Sequence, residues 1–409
     1  MTDPDRAATG RRISALRRQR GMSQRELAAA MGRSESWVSQ IERGVQPLER
    51  LPVRQSLADV LGVAQHDIWP EIAVAPQAEE QPKGNDLDSV RVVLSGHPAL
   101  GSLFDQTQPE TMSTLTNFRT RVDEVWQLAH ASSYAELSDR LSTLLPEIEM
   151  AVRYAPAAAQ AELHALRARV YQAAAASFAR QDEADAAWVA ADRALQAAEL
   201  AGQPLEVVAG LFRMAHAFIR QRRTDQAAHA ASSAVSVLTP RCEAPGTPPE
   251  ELSLLGAMHL VLAVINAQDS NRSSTHEHIE EARRIAKRLG GDRNDFDTEF
   301  GPTNVELHAV STAIDLGDAG LALDLAAKID ATALSMERQS RFLVDVARAH
   351  AQRRHVGEAV SALIKAEELT PEHVRAHHLV REIVQELVQL SGNRIPEQLA
   401  RLAERTGVL

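Results

Sequence analysis

At 409 residues the chain is too long for one ordinary core and predicts two or three units. Apolar residues make up 44% of it and aromatics only 4%, with Ala and Leu dominant, a balance that favours helix over a thick β core. The net charge of −11 is uneven: residues 1–69 hold 11 Arg against 8 acids, a net of +3, which leaves 33 basic and 47 acidic residues and a net of −14 afterwards. The head is expected to approach a polyanion, and the rest to be repelled by one.

The single cysteine, Cys242, excludes an intrachain disulfide and a thiolate metal cluster, which suits a reducing cytoplasm. Met1 to Gly10 has no apolar stretch for a signal peptide, and the run Leu254 to Ala267 is short for a bilayer span and contains His259, so no membrane partner is expected.

Between Arg11 and Arg25 there are six arginines (Arg11, Arg12, Arg17, Arg18, Arg20, Arg25) and no acid. Ile13, Leu16 and Leu27 fall at helical spacing, which predicts a first helix with a basic face. Gly21 ends it. Ser23-Gln-Arg-Glu26 has the spacing of a capping box, in which a hydroxyl and a carboxylate satisfy orphan N–H groups, so a second helix is expected from Gln24 to about Met31. Gly32 supplies a left-handed turn, Ser34 caps a third helix reaching Glu42, and Gly44 stops it. Ala28 lets the two short helices approach, and Val38 and Ile41 lie on the inward face of the third. Glu35, Ser36, Ser39 and Gln40 are left pointing outward.

The stretch Gly21-Met-Ser-Gln-Arg-Glu-Leu-Ala, followed by Gly32-Arg-Ser-Glu-Ser-Trp-Val-Ser-Gln-Ile-Glu-Arg-Gly44, resembles the lambda-repressor-like (Cro-like, XRE) helix-turn-helix family. Leu57-Ala-Asp-Val-Leu-Gly-Val63 is similar to its next helix and Asp67-Ile-Trp69 to its last turn, giving a five-helix head over residues 11–69. The resemblance implies that the third helix enters the major groove of double-stranded DNA. It makes Glu35, Ser36, Ser39 and Gln40 candidate base readers, Gln40 suiting adenine and Glu35 a cytosine amino group. Gln24, Arg33 and Arg43 become phosphate contacts, and Trp37 either packs on the second helix or meets the sugar-phosphate. Trp37 is bulkier than the family's usual residue there, and the Glu35 carboxylate lies near phosphates.

Residues 70–86 mix Pro, acids and small residues without periodicity and read as a flexible linker. A short helix from Leu87 to Leu94, ended by Gly96, begins the body. From about Pro109 onward Ala/Leu-periodic segments alternate with short breaks in a pattern of helix pairs. The clearest pair runs from Ser340 to His373 and resembles the tetratricopeptide repeat. Further copies surround Ala187, Ala227 and Ala322. With Ala359 these equivalent small positions give gaps of 40, 95 and 37, so one unit between Ala227 and Ala322 is degenerate. The fold class expected is all-α, a five-helix head followed by a tetratricopeptide-like solenoid of about six helix pairs over residues 87–409. Regulators pairing such a head with such a body sense a peptide or small molecule on the concave face, which the resemblance extends to this chain.

Gly290 to Asn304 interrupts the pattern with polar and turn-forming residues and two of the scarce aromatics. Arg293, Phe296, Phe300 and Asn304 are its candidate ligand contacts, with Thr303 or Asn304 capping the next helix. The alternative is that both Phe rings plug the gap between successive helix pairs. His373-x-x-x-His377 with His378 has two imidazoles on one helix face but no glutamate to complete a zinc motif, and Asp292 to Glu299 lacks the glycine of a calcium loop. No phosphate-cradling loop, nucleophile elbow or placed Cys nucleophile is present, so neither a catalytic activity nor a metal or cofactor is expected. The function expected is a sequence-specific DNA-binding regulator, acting as a homodimer on an inverted repeat in the cytoplasm, with an effector-responsive or dimerising body. The alternative is an interaction scaffold whose head has lost specific DNA binding.

Overall fold

The computed structural model describes residues 3–31, 35–44, 51–63, 68, 87–96, 100, 113–392 and 394–409. The chain forms two compact units, Met1–Lys83 and Gly84–Leu409. Among the described residues it is all-helical, with one isolated bridge between Arg293 and Phe300.

The head contains α1 (Asp3–Gln19), α2 (Gln24–Ala30), α3 (Glu35–Glu42) and α4 (Leu51–Leu61). Its core gathers Ile13 with Leu27 and Ala28, Val38 and Ile41, Leu57, Ala58 and Leu61, and Ile68. Ile68 is fully buried where the fifth helix is expected; its neighbours there, with the linker 70–86, lie outside the described residues, as do Gly32 and Ser34 of the expected turn. Gly10 marks where α1 crosses α3: a Cβ there would stand 2.4 Å from the Glu42 carbonyl oxygen, so only glycine permits this approach.

The body opens with α5 (Asp88–Ser95), which ends at Gly96 as expected. Six helix pairs follow: α6 (Leu115–Ala131) with α7 (Tyr134–Tyr154), α8 (Ala157–Arg180) with α9 (Ala184–Ala201), α10 (Pro204–Arg220) with α11 (Thr224–Cys242), α12 (Pro249–Gln268) with α13 (Arg272–Leu289), α14 (Pro302–Asp315) with α15 (Ala319–Ala326), and α16 (Met336–Gln352) with α17 (Val356–Leu369). Three C-terminal helices, α18 (Pro371–Ala376), α19 (His378–Ser391) and α20 (Glu397–Arg405), close the last core.

Every pair turns in the same way. Ser132, Asp182, Arg222, Ser270, Gly317 and Arg354 each stand two residues before a second helix with φ between 56° and 85°. The residue after each donates its N–H back across the turn, as in Glu183 to Phe178, Arg223 to Phe218 and His355 to His350 at 2.9 Å each. This satisfies orphan carbonyls of the first helix. The left-handed conformation costs an L-residue about 1–2 kcal/mol, so only Gly317 advertises the turn by residue type.

The small positions Ala187, Ala227, Ala322 and Ala359 are all fully buried where paired helices nest. The degenerate unit is the fourth pair, where Thr275 occupies the small position and satisfies its hydroxyl on the Asn271 carbonyl at 2.8 Å. Its first helix, α12, is apolar all round. By length and composition it qualifies as a membrane span, but 83% of that stretch is buried in the body's own core.

The superhelix brings its first pair back to its last turns. The Tyr134 backbone N–H donates to Glu372 at 2.7 Å, and Arg180 of α8 faces Glu337 of α16 at 3.3 Å. The first helices of the pairs line this inner face.

Candidate nucleic-acid interface and the inner loop

At the start of α2 the Ser23 hydroxyl accepts the Glu26 N–H at 3.1 Å, and the Glu26 carboxylate accepts the Ser23 N–H at 2.7 Å. The expected capping box is therefore formed, and these bonds hold the exposed Glu26 carboxyl below its usual range.

A second lock fixes α1 against α3. Arg17 is buried, and its guanidinium grips Glu42 through two parallel bonds of 2.6 and 3.0 Å while donating to the Met22 carbonyl at 2.7 Å. Gln24 donates to the same carboxylate at 2.8 Å. Burial alone would raise the Glu42 carboxyl, but the Arg17 and Gln24 hydrogen bonds hold it below its usual range. The sequence counts Arg17 among the arginines of a basic face. Its spacing from Gly10 and Ile13, on the buried stripe of α1, is the signal that places it inside.

α3 then presents its polar side. Val38 and Ile41 face the core, Glu35 and Arg43 are exposed, and Ser39 and Gln40 are half-buried. Arg43 curls back with its Nε donating to the Ser39 carbonyl at 3.2 Å. Trp37 is half-buried against the head core. Of Gln24 the amide is occupied by Glu42, leaving its backbone N–H at the opening of α2. Arg33 and the Ser36 side chain lie outside the described residues.

In the body, Gly290 ends α13 at φ 83°, and the loop turns inward. Phe300 is fully buried against Gly256 of α12, where even a Cβ would meet its ring, and it belongs to the core of the third and fourth pairs. Of the two roles open to it in the sequence, this is the geometry of the plug. Phe296 packs on the same core from the edge with φ 51°. Arg293 is exposed and paired with Asp295 at 2.7 Å and Glu250 at 3.2 Å. Asn304 is buried and its Oδ1 has no partner. The cap on α14 comes from across the loop: Asp292 accepts the Thr303 N–H at 2.9 Å and its hydroxyl at 2.5 Å. Of the four candidates, Phe300 and Asn304 are thus buried, Phe296 is half-buried and Arg293 exposed.

Two of the loop's acids, Asp297 and Glu299, face inward instead. Asp297 meets His130 at 3.3 Å, Glu299 meets Arg338 at 3.2 Å, and Arg213 donates to the carbonyls of Phe296 and Asp297 at 3.2 and 2.7 Å. No cluster of three or more potential metal ligands exists among the described residues, and His373 is buried apart from the exposed His378.

Compared with known families, residues 8–68 match the helix-turn-helix domain family. No curated protein matches the chain. Among solved structures, Bacillus thuringiensis PlcR in complex with the peptide PapR7 and DNA matches at 12% identity, with a TM-score of 0.32, covering 91% of this chain and 99% of that one. The chain carries a helix-turn-helix head followed by an all-helical repeat body.

Proposed function

We propose that the chain is a sequence-specific transcriptional regulator that acts in the cytoplasm as a homodimer on an inverted repeat in double-stranded DNA, with the helical body sensing an effector or partner. The observation that supports this reading is the locked corner of α2 and α3 within the matched region, with Glu35 and Arg43 at the two ends of α3 exposed. The Arg17–Glu42–Gln24 knot and the capping box fix that side before any partner arrives, which lowers the ordering cost of binding. The amino end of α2, with the Gln24 N–H, suits a phosphate. Arg43 and Arg33 add charge to the backbone contacts, and Glu35, Ser36, Ser39 and Gln40 take the base edges with Trp37 beside them.

The test is binding to fragments from around the gene's own promoter at two salt concentrations, with Gln40→Ala and Arg43→Ala beside the wild type. A steep salt slope is expected, with Arg43→Ala weakening all sequences alike and Gln40→Ala costing about 1–3 kcal/mol of discrimination at one base pair. A shallow slope and no preference over random DNA would overturn the reading in favour of an interaction scaffold.

A further inference from the structure

Five guanidinium groups surround one small chamber on the inner face of the body. Arg180 comes from α8, Arg213 and Arg220 from α10, and Arg338 and Arg341 from α16, with His216 beside them, and the chamber has a volume of about 50 Å³. Buried charges are ordinarily paired, because desolvation costs several kcal/mol for a lone ion. Only part of this cluster meets that rule. Arg180 faces Glu337 at 3.3 Å, and Arg338 faces Glu299 at 3.2 Å. Arg341 reaches the same Glu337 at 3.6 Å, so one carboxylate is shared.

The remaining two have no carboxylate. Arg213 is buried, its only acceptors are the carbonyls of Phe296 and Asp297, and its Nε has no partner. Its guanidinium carbon lies over the rings of Trp126 and Phe212, 5.0 Å from each centroid, so two ring faces and two carbonyls hold it in place. Arg220 makes no hydrogen bond and no ion pair among the described residues. Five guanidiniums against Glu337 and Glu299, with Asp297 behind them, leave a surplus of about two positive charges at a space the size of a compact head group.

Neighbouring groups register that field. Burial, followed by Arg180, pushes the Arg213 guanidinium down to about 9. His216 is driven well below its usual value by burial and then by Arg213 and Arg341. A neutral imidazole among arginines remains able to donate one N–H and accept one bond.

We propose that this chamber binds a dianionic phosphoryl head group, with Arg213 as the fixed fork and Arg220 and Arg341 closing on the remaining oxygens. A tetrahedral dianion matches the surplus charge, and its terminal oxygens can accept from guanidiniums on different helices, whereas one carboxylate supplies a single charge and a planar pair of oxygens. Arg341, whose side chain is 41% exposed, marks the open side through which the rest of such a ligand would leave. Occupancy would tie together α8, α10 and α16, of the second, third and sixth pairs. This rests on the reading of the body as a sensor and names the chemistry sensed.

The experiment uses the full chain without DNA: thermal unfolding and calorimetric titration with inorganic phosphate, sulfate and acetate at constant ionic strength over chloride. Phosphate and sulfate are expected to bind saturably and raise the melting temperature, and acetate to do neither. Arg220→Gln, which removes an unpaired half-buried cation, is expected to leave the unliganded chain as stable or more so and to weaken phosphate at least about tenfold, the loss of one charged hydrogen bond. Should that variant fail to fold, Arg341→Gln carries the same expectation for phosphate affinity, and the exposed Arg284→Gln is the control that changes nothing. Equal response to all salts, or wild-type phosphate affinity in Arg220→Gln and Arg341→Gln, overturns the proposal. Operator affinity with and without phosphate reports separately: phosphate binding with no change in DNA affinity upholds the chamber and removes the sensing role, while absent phosphate binding removes the chamber and leaves the DNA reading standing.

Discussion

In the head, Arg11, Arg18, Arg25 and Arg43 stand in water, and among the described residues the one buried arginine, Arg17, is matched by its own carboxylate, Glu42. In the body Arg180 and Arg213 are buried, Arg220 and Arg338 half-buried, and the carboxylates beside them are too few. Net charge points the other way, with residues 1–69 at +3 and residues 87–409 at −11. Summed charge describes what a surface does at a distance, over roughly a Debye length of about 8 to 10 Å. It says nothing of which sign is collected inside a superhelix, where solvent no longer screens. An acidic body repels nucleic acid with its outside and still offers an anion a positive interior.

The largest expected effect lies at the plug of the body. Phe300→Ala removes a fully buried ring seated against Gly256, and loss of such a ring costs about 3–5 kcal/mol through transfer and cavity terms. Differential scanning calorimetry should show the body's transition falling and the head's unmoved. Unchanged melting with an altered response to an effector would place the ring in a ligand pocket instead.

Periodicity made much of this legible. The nested alanines Ala187, Ala227, Ala322 and Ala359 identify helix pairs because a small residue at a helix crossing is a local requirement. The fourth pair hides because Thr275 meets the same requirement with a side chain that looks polar. The pair turns hide because their left-handed residues are Ser, Asp and Arg, whose strain is offset by packing that no local window contains. The corner of the head was readable from Ser23, Glu26 and Gly44, each of which acts within a few residues of itself. The arginine chamber was not, since Arg180 and Arg338 meet only after the superhelix has closed over more than a hundred residues.

Acid should separate the two regions next. Eight histidines of the body, His164, His216, His259, His278, His308, His350, His373 and His377, are held below their ordinary 6.5, burial being the main cause in each. His308 is pushed to about 3 and His373 to about 4. A depressed imidazole binds fewer protons folded than unfolded, so its stabilising contribution is complete above about 6.5 and is lost as pH falls from there toward 4. Three carboxyls raised by burial, Glu206, Asp345 and Glu386, act in the opposite direction and are outnumbered. The head's shifted acids, Glu26 and Glu42, lie below 4.5 and are silent in this window. Between pH 6.5 and 5 the body's transition should therefore fall while the head's holds, and His308→Gln should flatten the body's slope. Equal slopes for the two transitions would mean that these imidazoles are protonated in the folded body.

The smallest effect expected is also the most local. Ser23→Ala removes the hydroxyl that accepts the Glu26 N–H at 3.1 Å, and it leaves the reciprocal bond from the Ser23 N–H to Glu26 without its partner. An N-cap loss of this kind costs about 1 kcal/mol. In a domain of about 60 residues that shifts melting by roughly 4–8 °C, a readable change for one hydroxyl. The first turn of α2 should fray while the Arg17–Glu42 knot still holds α1 to α3, so DNA affinity should fall through the disordered amino end of α2 without a change in the preferred site. The body has its own cores and no share in this cap, so its transition and its phosphate response should stay where they are. A shift of both transitions together would show one cooperative unit where the contacts divide the chain in two near Lys83, and the contrast between a locally specified head and a topologically assembled body would fail with it.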